Sequence, residues 1–164
     1  MSDQSDYDKV MARALKLLSV KARTVAELRE RLLERAVSES VVEQVIARLQ
    51  ELRYLNDEQF AADYSASRLR VKPLGRRRLS RELAQKKVPE PVIENALDQV
   101  YELADEETFI DQAIEKRLRT RGRPRTRQEA KNLFDHLRRL GFDYELVRRK
   151  VYDVSHTPLD EDRE

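Results

Sequence analysis

One spacing of apolar residues occurs three times along this chain, and it governs what the chain can fold into. Leu28, Leu32, Val37, Val41, Val42, Val45 and Ile46 make the first copy. Leu79, Leu83, Val88, Val92, Ile93, Ala96 and Leu97 make the second. Leu133, Leu137, Phe142, Leu146, Val147, Lys150 and Val151 make the third, with Lys150 alone breaking the apolar rule. Upstream, Met11, Phe60 and Phe109 stand at equal intervals, each opening a further apolar stripe. A period of about 50 residues marks stacked units, each burying its apolar face on its neighbours. Such a product offers an extended surface rather than a deep pocket.

The rest of the composition fits helices. Hydrophobic residues make up 40% and charged residues 39%, with 3 glycines and 6% aromatics, which suits helices with one apolar stripe and a solvated outer face. A sheet protein would need more turn residues and more β-branched runs. The absence of cysteine excludes disulfides and thiol nucleophiles. No apolar run is long enough to span a bilayer. The segment Met1 to Asp6 is polar and acidic, unlike a secretory leader, so a cytoplasmic protein is expected.

Helix punctuation agrees with the period. Thr24 to Glu27, Ser40 to Glu43 and Thr126 to Glu129 each read as a capping box, in which a hydroxyl and a carboxylate satisfy orphan amides reciprocally. Asn56 and Asp143 are good N-caps, Pro91 suits a first turn, and Gly141 suits the position after a last turn. Pro73-Leu74-Gly75 and Gly122-Arg123-Pro124 read as breaks. The predicted fold is all-α, with three tandem three-helix repeats forming an elongated curved array. Repeat 1 is expected over 8–54, repeat 2 over 55–104 and repeat 3 over 105–154. Predicted helices are 8–20, 25–36 and 41–53, then 57–70, 76–87 and 91–104, then 106–120, 127–140 and 144–154. Residues 1–7 and the acidic stretch 155–164 read as disordered tails.

Little here suits catalysis. His136 lies between Leu133 and Leu137 in a basic helix and reads as a surface or boundary residue; His156 falls in the tail. No spacing supplies three converging metal ligands, and no glycine-rich phosphate loop is present. A non-enzyme without metal or cofactor is expected. Charge is more informative. The net charge of +2 conceals acidic ends (Asp3, Asp6, Asp8; Asp160, Glu161, Asp162, Glu164) and two basic runs. The first holds Arg68, Arg70, Lys72, Arg76, Arg77, Arg78, Arg81, Lys86 and Lys87 against the single acid Glu82. The second holds Lys116, Arg117, Arg119, Arg121, Arg123, Arg125 and Arg127 against none. Arg78 and Glu82 can pair at i,i+4, whereas Arg77 and Arg81 repel at that spacing. Runs this rich in arginine suit a polyanion or a carboxylate-rich surface. Phe60 and Tyr64 lie on the core stripe; Phe142, Tyr144 and Tyr101 sit at helix junctions or ends, leaving Tyr54 the least committed aromatic.

These residues together resemble the RecX regulatory protein family. The likeness rests on Tyr54-Leu55-Asn56-Asp57-Glu58-Gln59-Phe60-Ala61 followed by Tyr64 and Arg68. It continues through Pro73-Leu74-Gly75, Arg78-Leu79, Glu82-Leu83 and Lys86-Lys87-Val88, then Phe134, Leu137, Arg138 and Leu140-Gly141-Phe142. It spans roughly residues 8 to 154. Asn56 stands where the family often has Asp, an N-cap of equal quality, and Lys87 where Gly is common, which implies a helix end lacking its glycine. The resemblance implies a regulator that binds the RecA recombinase and its nucleoprotein filament. By the same resemblance it inhibits strand exchange, ATP hydrolysis and the co-protease activity behind the SOS response, in DNA repair and recombination. A monomer is expected. The residues expected to meet filament or DNA are Arg68, Arg70, Lys72, Arg76, Arg77, Arg81, Lys86, Arg117, Arg119, Arg121, Arg123, Arg125 and Arg127, with Arg76, Arg77 and Arg81 exposed and free. A stand-alone nucleic-acid-binding helical array is the alternative, and an adaptor that touches no nucleic acid is a third class, marked by weak salt dependence of binding.

The stripe itself is testable. Leu83→Asp puts an unpaired charge at a core position, costing several kcal/mol against a total stability of about 5–15 kcal/mol. Cooperative thermal unfolding followed by circular dichroism is expected to disappear; a wild-type melting curve refutes the stripe.

Overall fold

A computed structural model describes residues 2–36 and 38–155. Val37 of the first stripe, Met1, and residues 156–164 with His156 and most of the expected acidic tail lie outside the described residues. Among the described residues the regular elements are nine helices and no strand. They are α1 (Ser2–Val20), α2 (Val25–Leu33), α3 (Glu39–Glu51), α4 (Asp57–Val71), α5 (Arg76–Gln85), α6 (Glu90–Leu103), α7 (Glu106–Arg121), α8 (Arg127–Arg139) and α9 (Tyr144–Val154). The chain is an all-helical repeat array. Every described position of the three stripes is buried or half-buried. Lys150, the exception in sequence, lies at a half-buried position, where Glu107 at 2.9 Å and Asp111 at 2.8 Å neutralise it.

Three helix starts differ from expectation, α6 by the single residue Glu90 and two by more. α1 begins at Ser2, six residues before the predicted start at Asp8, so residues 2–7 are helical rather than a tail. Asp3 sits in the first turn, where a negative charge complements the helix dipole, Gln4 bonds Asp8 at 3.2 Å, and Tyr7 packs on the core. α3 is capped by Ser38, not Ser40: the Ser38 hydroxyl accepts from the Val41 amide at 3.4 Å. Val41 and Val42 are both buried, so the chain must already be turning at Ser40. Elsewhere the caps match the sequence: Thr24, Asn56, Thr126 and Asp143 accept from Glu27, Gln59, Glu129 and Glu145 amides at 3.2, 3.1, 3.1 and 3.1 Å.

Helix ends explain the five-residue step inside the second and third stripes. At the end of α5 the Val88 amide donates to the Leu83 carbonyl at 3.1 Å and the Lys87 amide to Ala84 at 3.0 Å. At the end of α8, Phe142 donates to Leu137 at 3.4 Å and Gly141 to Arg138 at 3.0 Å. Both are Schellman motifs, in which the residue two beyond the cap packs back onto the last turn. The residue between adopts positive φ, 94° at Gly141 and 65° at Lys87. A non-glycine residue there costs roughly 1–2 kcal/mol; the Lys87 ammonium is held by Glu30.

The chain forms two compact units, residues 1–63 with 83–93, and 64–82 with 94–164. In the first, α1, α2 and α3 pack mutually around Ala14, Leu28, Leu32, Val42, Val45, Ile46, Leu49 and Leu55. In the second, α7, α8 and α9 pack mutually, with Ile110, Leu133, Leu137, Phe142, Val147 and Val151 buried.

Each unit contains the same joint between helix termini. In the first, the Thr24 hydroxyl at the start of α2 donates to the Lys86 carbonyl at the end of α5, at 2.8 Å. The Asp57 carboxylate accepts from the Val25 amide at 2.9 Å. In the second, the Gly75 amide at the start of α5 donates to the Leu140 carbonyl at the end of α8, at 2.9 Å, and Arg77 donates to Gly141 at 3.2 Å. Here Glu106 takes the place of Asp57, accepting from the Arg76 amide at 3.2 Å. The second joint is closer because it has no side chain in it: a Cβ on Gly75 would lie 2.3 Å from the Gly141 carbonyl carbon and 2.4 Å from the Phe142 nitrogen. Gly122, at φ 73°, has nothing within 4 Å of its Cβ position. Gly75→Ala is therefore expected to cost about 3 kcal/mol or more by backbone collision, and Gly122→Ala, at φ 73° and ψ 179°, roughly 1–3 kcal/mol by conformation alone. Urea unfolding midpoints of the two variants test the ranking.

Candidate functional site

Sequence places the cations in two runs, and folding sorts them. Arg68 is paired: its guanidinium lies 2.9 Å from Glu82, a half-buried carboxylate. Arg78, the expected partner of Glu82, instead donates to the Arg139 carbonyl at 3.0 Å. Arg76 is not free as expected. It reaches across to Glu94 and Asp98, each at 2.8 Å, because α6 presents two acids one turn apart beside the start of α5. Lys86 belongs to the first compact unit, where its carbonyl receives Thr24. Arg70, Arg77 and Arg81 are exposed. Arg119 has a loose i,i+4 contact with Glu115 at 3.9 Å, and Arg125 and Arg127 are exposed at the start of α8.

A second set converges. Lys72, just before Pro73, joins Lys116, Arg117 and Thr120 of α7 and His136 and Leu140 of α8 around a cavity of about 240 Å³. Ala113 and Pro73 supply apolar wall. Arg117 and Thr120 also line an adjoining trough of about 460 Å³, with Leu118, Arg121, Gly122, Arg123, Pro124, Glu129, Asn132 and Leu133. The one acid there, Glu129, is engaged by the Arg125 amide at 2.7 Å. No ion pair forms to Lys72, Lys116, Arg117, Arg121 or Arg123 among the described residues. The local sequence builds this arrangement: α7 runs to Arg121 and stops at Gly122, so its last two turns carry Lys116, Arg117 and Arg121 with no acid between them.

The charges leave their mark on titration. Burial, then Arg117, Arg139, Lys72 and Arg121, push the His136 imidazole below its ordinary value. Burial and the neighbouring Arg121 and Arg139 likewise lower Arg117. Like charges crowded into a partly dry space disfavour one another's ionisation, and an anion entering the space relieves all of them. The arrangement can therefore bind oxyanions. Among the described residues no three of His, Asp and Glu converge as metal ligands, and no helix is long and apolar enough to cross a membrane.

His136 is half-buried, the boundary position expected of it. It lies three residues after Leu133 and four before Leu140, both buried, so helical spacing puts it at the margin of the apolar face. The aromatics hold the surrounding frame. Tyr101 donates to the Leu74 carbonyl at 2.8 Å and meets Phe109 edge-on at 5.9 Å. Phe134 meets Tyr144 at 5.4 Å, with Arg138 over the Tyr144 ring. Tyr54 is 62% exposed and takes no part in the cavity.

Comparison with known proteins gives a consistent answer. Residues 11–49 match the family description RecX, first three-helix domain, and residues 56–97 match RecX, second three-helix domain. The chain is 36% identical over 154 residues to the regulatory protein RecX of Prosthecochloris aestuarii, covering 94% of this chain and 98% of that one. It is 33% identical over 149 residues to the regulatory protein RecX of Chlorobaculum tepidum, covering 91% and 90%. The crystal structure of RecX from Lactobacillus salivarius superposes with a TM-score of 0.81 at 21% identity, over 92% of this chain and 97% of that one, a likeness of fold.

The electrostatics of the cavity are open to direct measurement. Because the lowered His136 favours its neutral form in the fold, its contribution to stability is present above about pH 6.5 and is lost as pH falls toward the folded value. Arg117→Gln removes the strongest of its cationic neighbours, so the His136 pKa followed by NMR is expected to rise toward that ordinary value. No change on substitution contradicts the crowding.

Proposed function

The chain belongs to the RecX family of regulatory proteins, and from that premise we propose that it is a non-catalytic regulator of the RecA recombinase. In this reading it binds the recombinase–DNA filament, impedes its growth, and inhibits strand exchange, ATP hydrolysis and co-protease activity, with the SOS response as the process restrained. It acts in the cytoplasm as a monomer and needs no cofactor. The likeness across nearly the whole chain to proteins of that name carries the proposal.

The basic surface gives the reading a physical basis. A filament presents phosphates and acidic protein side chains, and unpaired arginines suit both. We assign the contact first to Lys72, Arg117, Arg121 and Arg123, together with Lys116. Arg70, Arg77 and Arg81 are further candidates, while Arg68 and Arg76 are already committed to carboxylates. The cation-lined trough also favours a second reading, in which the protein binds nucleic acid without needing recombinase. Titration on bare single strands and on recombinase-coated strands separates the two.

The decisive variant is Lys116→Glu, Arg121→Glu and Arg123→Glu together, three exposed positions outside the buried stripes. Surface changes of this kind move stability little, so the melting temperature is expected to stay near wild type. Inhibition of recombinase ATPase is expected to weaken sharply. If these cations meet phosphates, the salt slope of filament binding falls by roughly 2–3 units, nearly one for each phosphate no longer neutralised. Unchanged inhibition and slope remove this surface from the mechanism.

A further inference from the structure

Resting on the reading that this surface meets a polyanion, we propose that the cavity among Lys72, Lys116, Arg117 and His136 receives a single phosphate group of a nucleic-acid strand, and that strand binding draws a proton onto His136. The cavity of about 240 Å³ is below the roughly 300–1,000 Å³ of sites that enclose drug-sized ligands. A phosphate fits such a space, and the four basic side chains that line it, Lys72, Lys116, Arg117 and His136, suit the charge of a phosphate rather than the face of a base. The adjoining trough shares Arg117 and Thr120 with it, so a strand can continue past Arg121 and Arg123 with one phosphate seated at Arg117.

The donors are the right kind. Thr120 spends its hydroxyl proton on the Arg117 carbonyl at 3.0 Å, so donation to an anion falls to Lys72, Lys116, Arg117 and the imidazole. Pro73, Ala113 and Leu140 form the apolar part of the lining, which weakens competition from water and strengthens each charged hydrogen bond.

The proton follows from the groups facing the ring. Arg117 and Arg121 act on His136 from α7, Lys72 from the connection before α5, and Arg139 from its own helix, all as cations; Lys116 lines the same space. On α8, Asp135 is its immediate neighbour in sequence. From α9, Tyr144 packs on Phe134. With the cavity empty, this cationic shell favours the neutral ring. A phosphate at Arg117 offsets part of that positive field and so favours imidazolium more than the free protein does. The pKa of His136 must then be higher in the complex than in the free protein. By linkage, affinity rises as pH falls through that interval, by up to tenfold for each unit of difference.

The test uses the full chain with His156→Gln, which leaves His136 as the one imidazole of the two in the sequence. The His136 pKa is followed by NMR in the protein alone, with inorganic phosphate, and with a short single-stranded DNA oligonucleotide, at constant ionic strength. Oligonucleotide affinity is measured at pH 6.0 and 8.0, with and without His136→Gln. The expected result is a raised His136 pKa on oligonucleotide binding, tighter binding at pH 6.0 by about fivefold, and loss of that pH difference in His136→Gln. A rise with inorganic phosphate as well identifies a general phosphate receptor; a rise with the oligonucleotide alone identifies the strand diester as the ligand. If neither raises the pKa, or if His136→Gln keeps the full pH response, the proposal is overturned. Inhibition of recombinase ATPase by the unsubstituted chain judges the filament reading separately: inhibition without a His136 response overturns the phosphate seat alone, and absence of inhibition overturns the filament reading.

Discussion

The fold depends on how helix termini are satisfied where one repeat meets the next. Every helix begins with unpaired amides and ends with unpaired carbonyls, and burying either end without a partner costs free energy. Here the two needs are met together within each compact unit. The start of a second helix meets the end of the following repeat's second helix, through Thr24 and Lys86 in one case and Gly75 and Leu140 in the other. An acid at the head of the next first helix, Asp57 or Glu106, takes one more amide. Burial lifts both carboxyls above their ordinary range, and the hydrogen bond from the amide draws them back. The joint thus favours a particular register between neighbours, which apolar stripes alone do not specify.

Much of this was legible in sequence because repetition multiplies weak signals. A lone Leu–Leu–Val spacing says little, but three copies reveal a shared helix, a shared turn and a shared return. The step from Leu83 to Val88 and from Leu137 to Phe142 is the reach of a Schellman motif, so even the helix ends were encoded in the apolar pattern. The caps Thr24, Asn56 and Thr126 were also readable, whereas Ser38 was not. What escaped was relational. Nothing near Arg76 in sequence announces Glu94 and Asp98, which come from another helix, and Glu82 lies four residues from Arg78 yet pairs with Arg68. Local spacing proposes partners; packing chooses among them.

The same choice divided the charges into structural and available sets. Arginines near acid-bearing helices became ion pairs, and exposed or half-exposed pairs of this kind contribute modestly to stability. On the last turns of α7 Arg119 has only its loose contact with Glu115, while Lys116, Arg117 and Arg121 found no acid. His136 stands at the boundary that helical spacing gives it, and only packing brings cations to it from three separate segments.

Helices that share one apolar spacing in one chain carry a hazard, because a helix from one repeat can pack into the slot of another during folding. Lys150 bears on this. In its own repeat it meets Glu107 and Asp111. At the matching places of α1, 98 residues earlier by the Met11–Phe109 interval, stand Lys9 and Arg13. A misplaced α9 in the first repeat would set a half-buried ammonium against two cations. The one polar break in the stripe would thus disfavour a swapped arrangement, at a position where leucine or valine carries no charge to tell the slots apart.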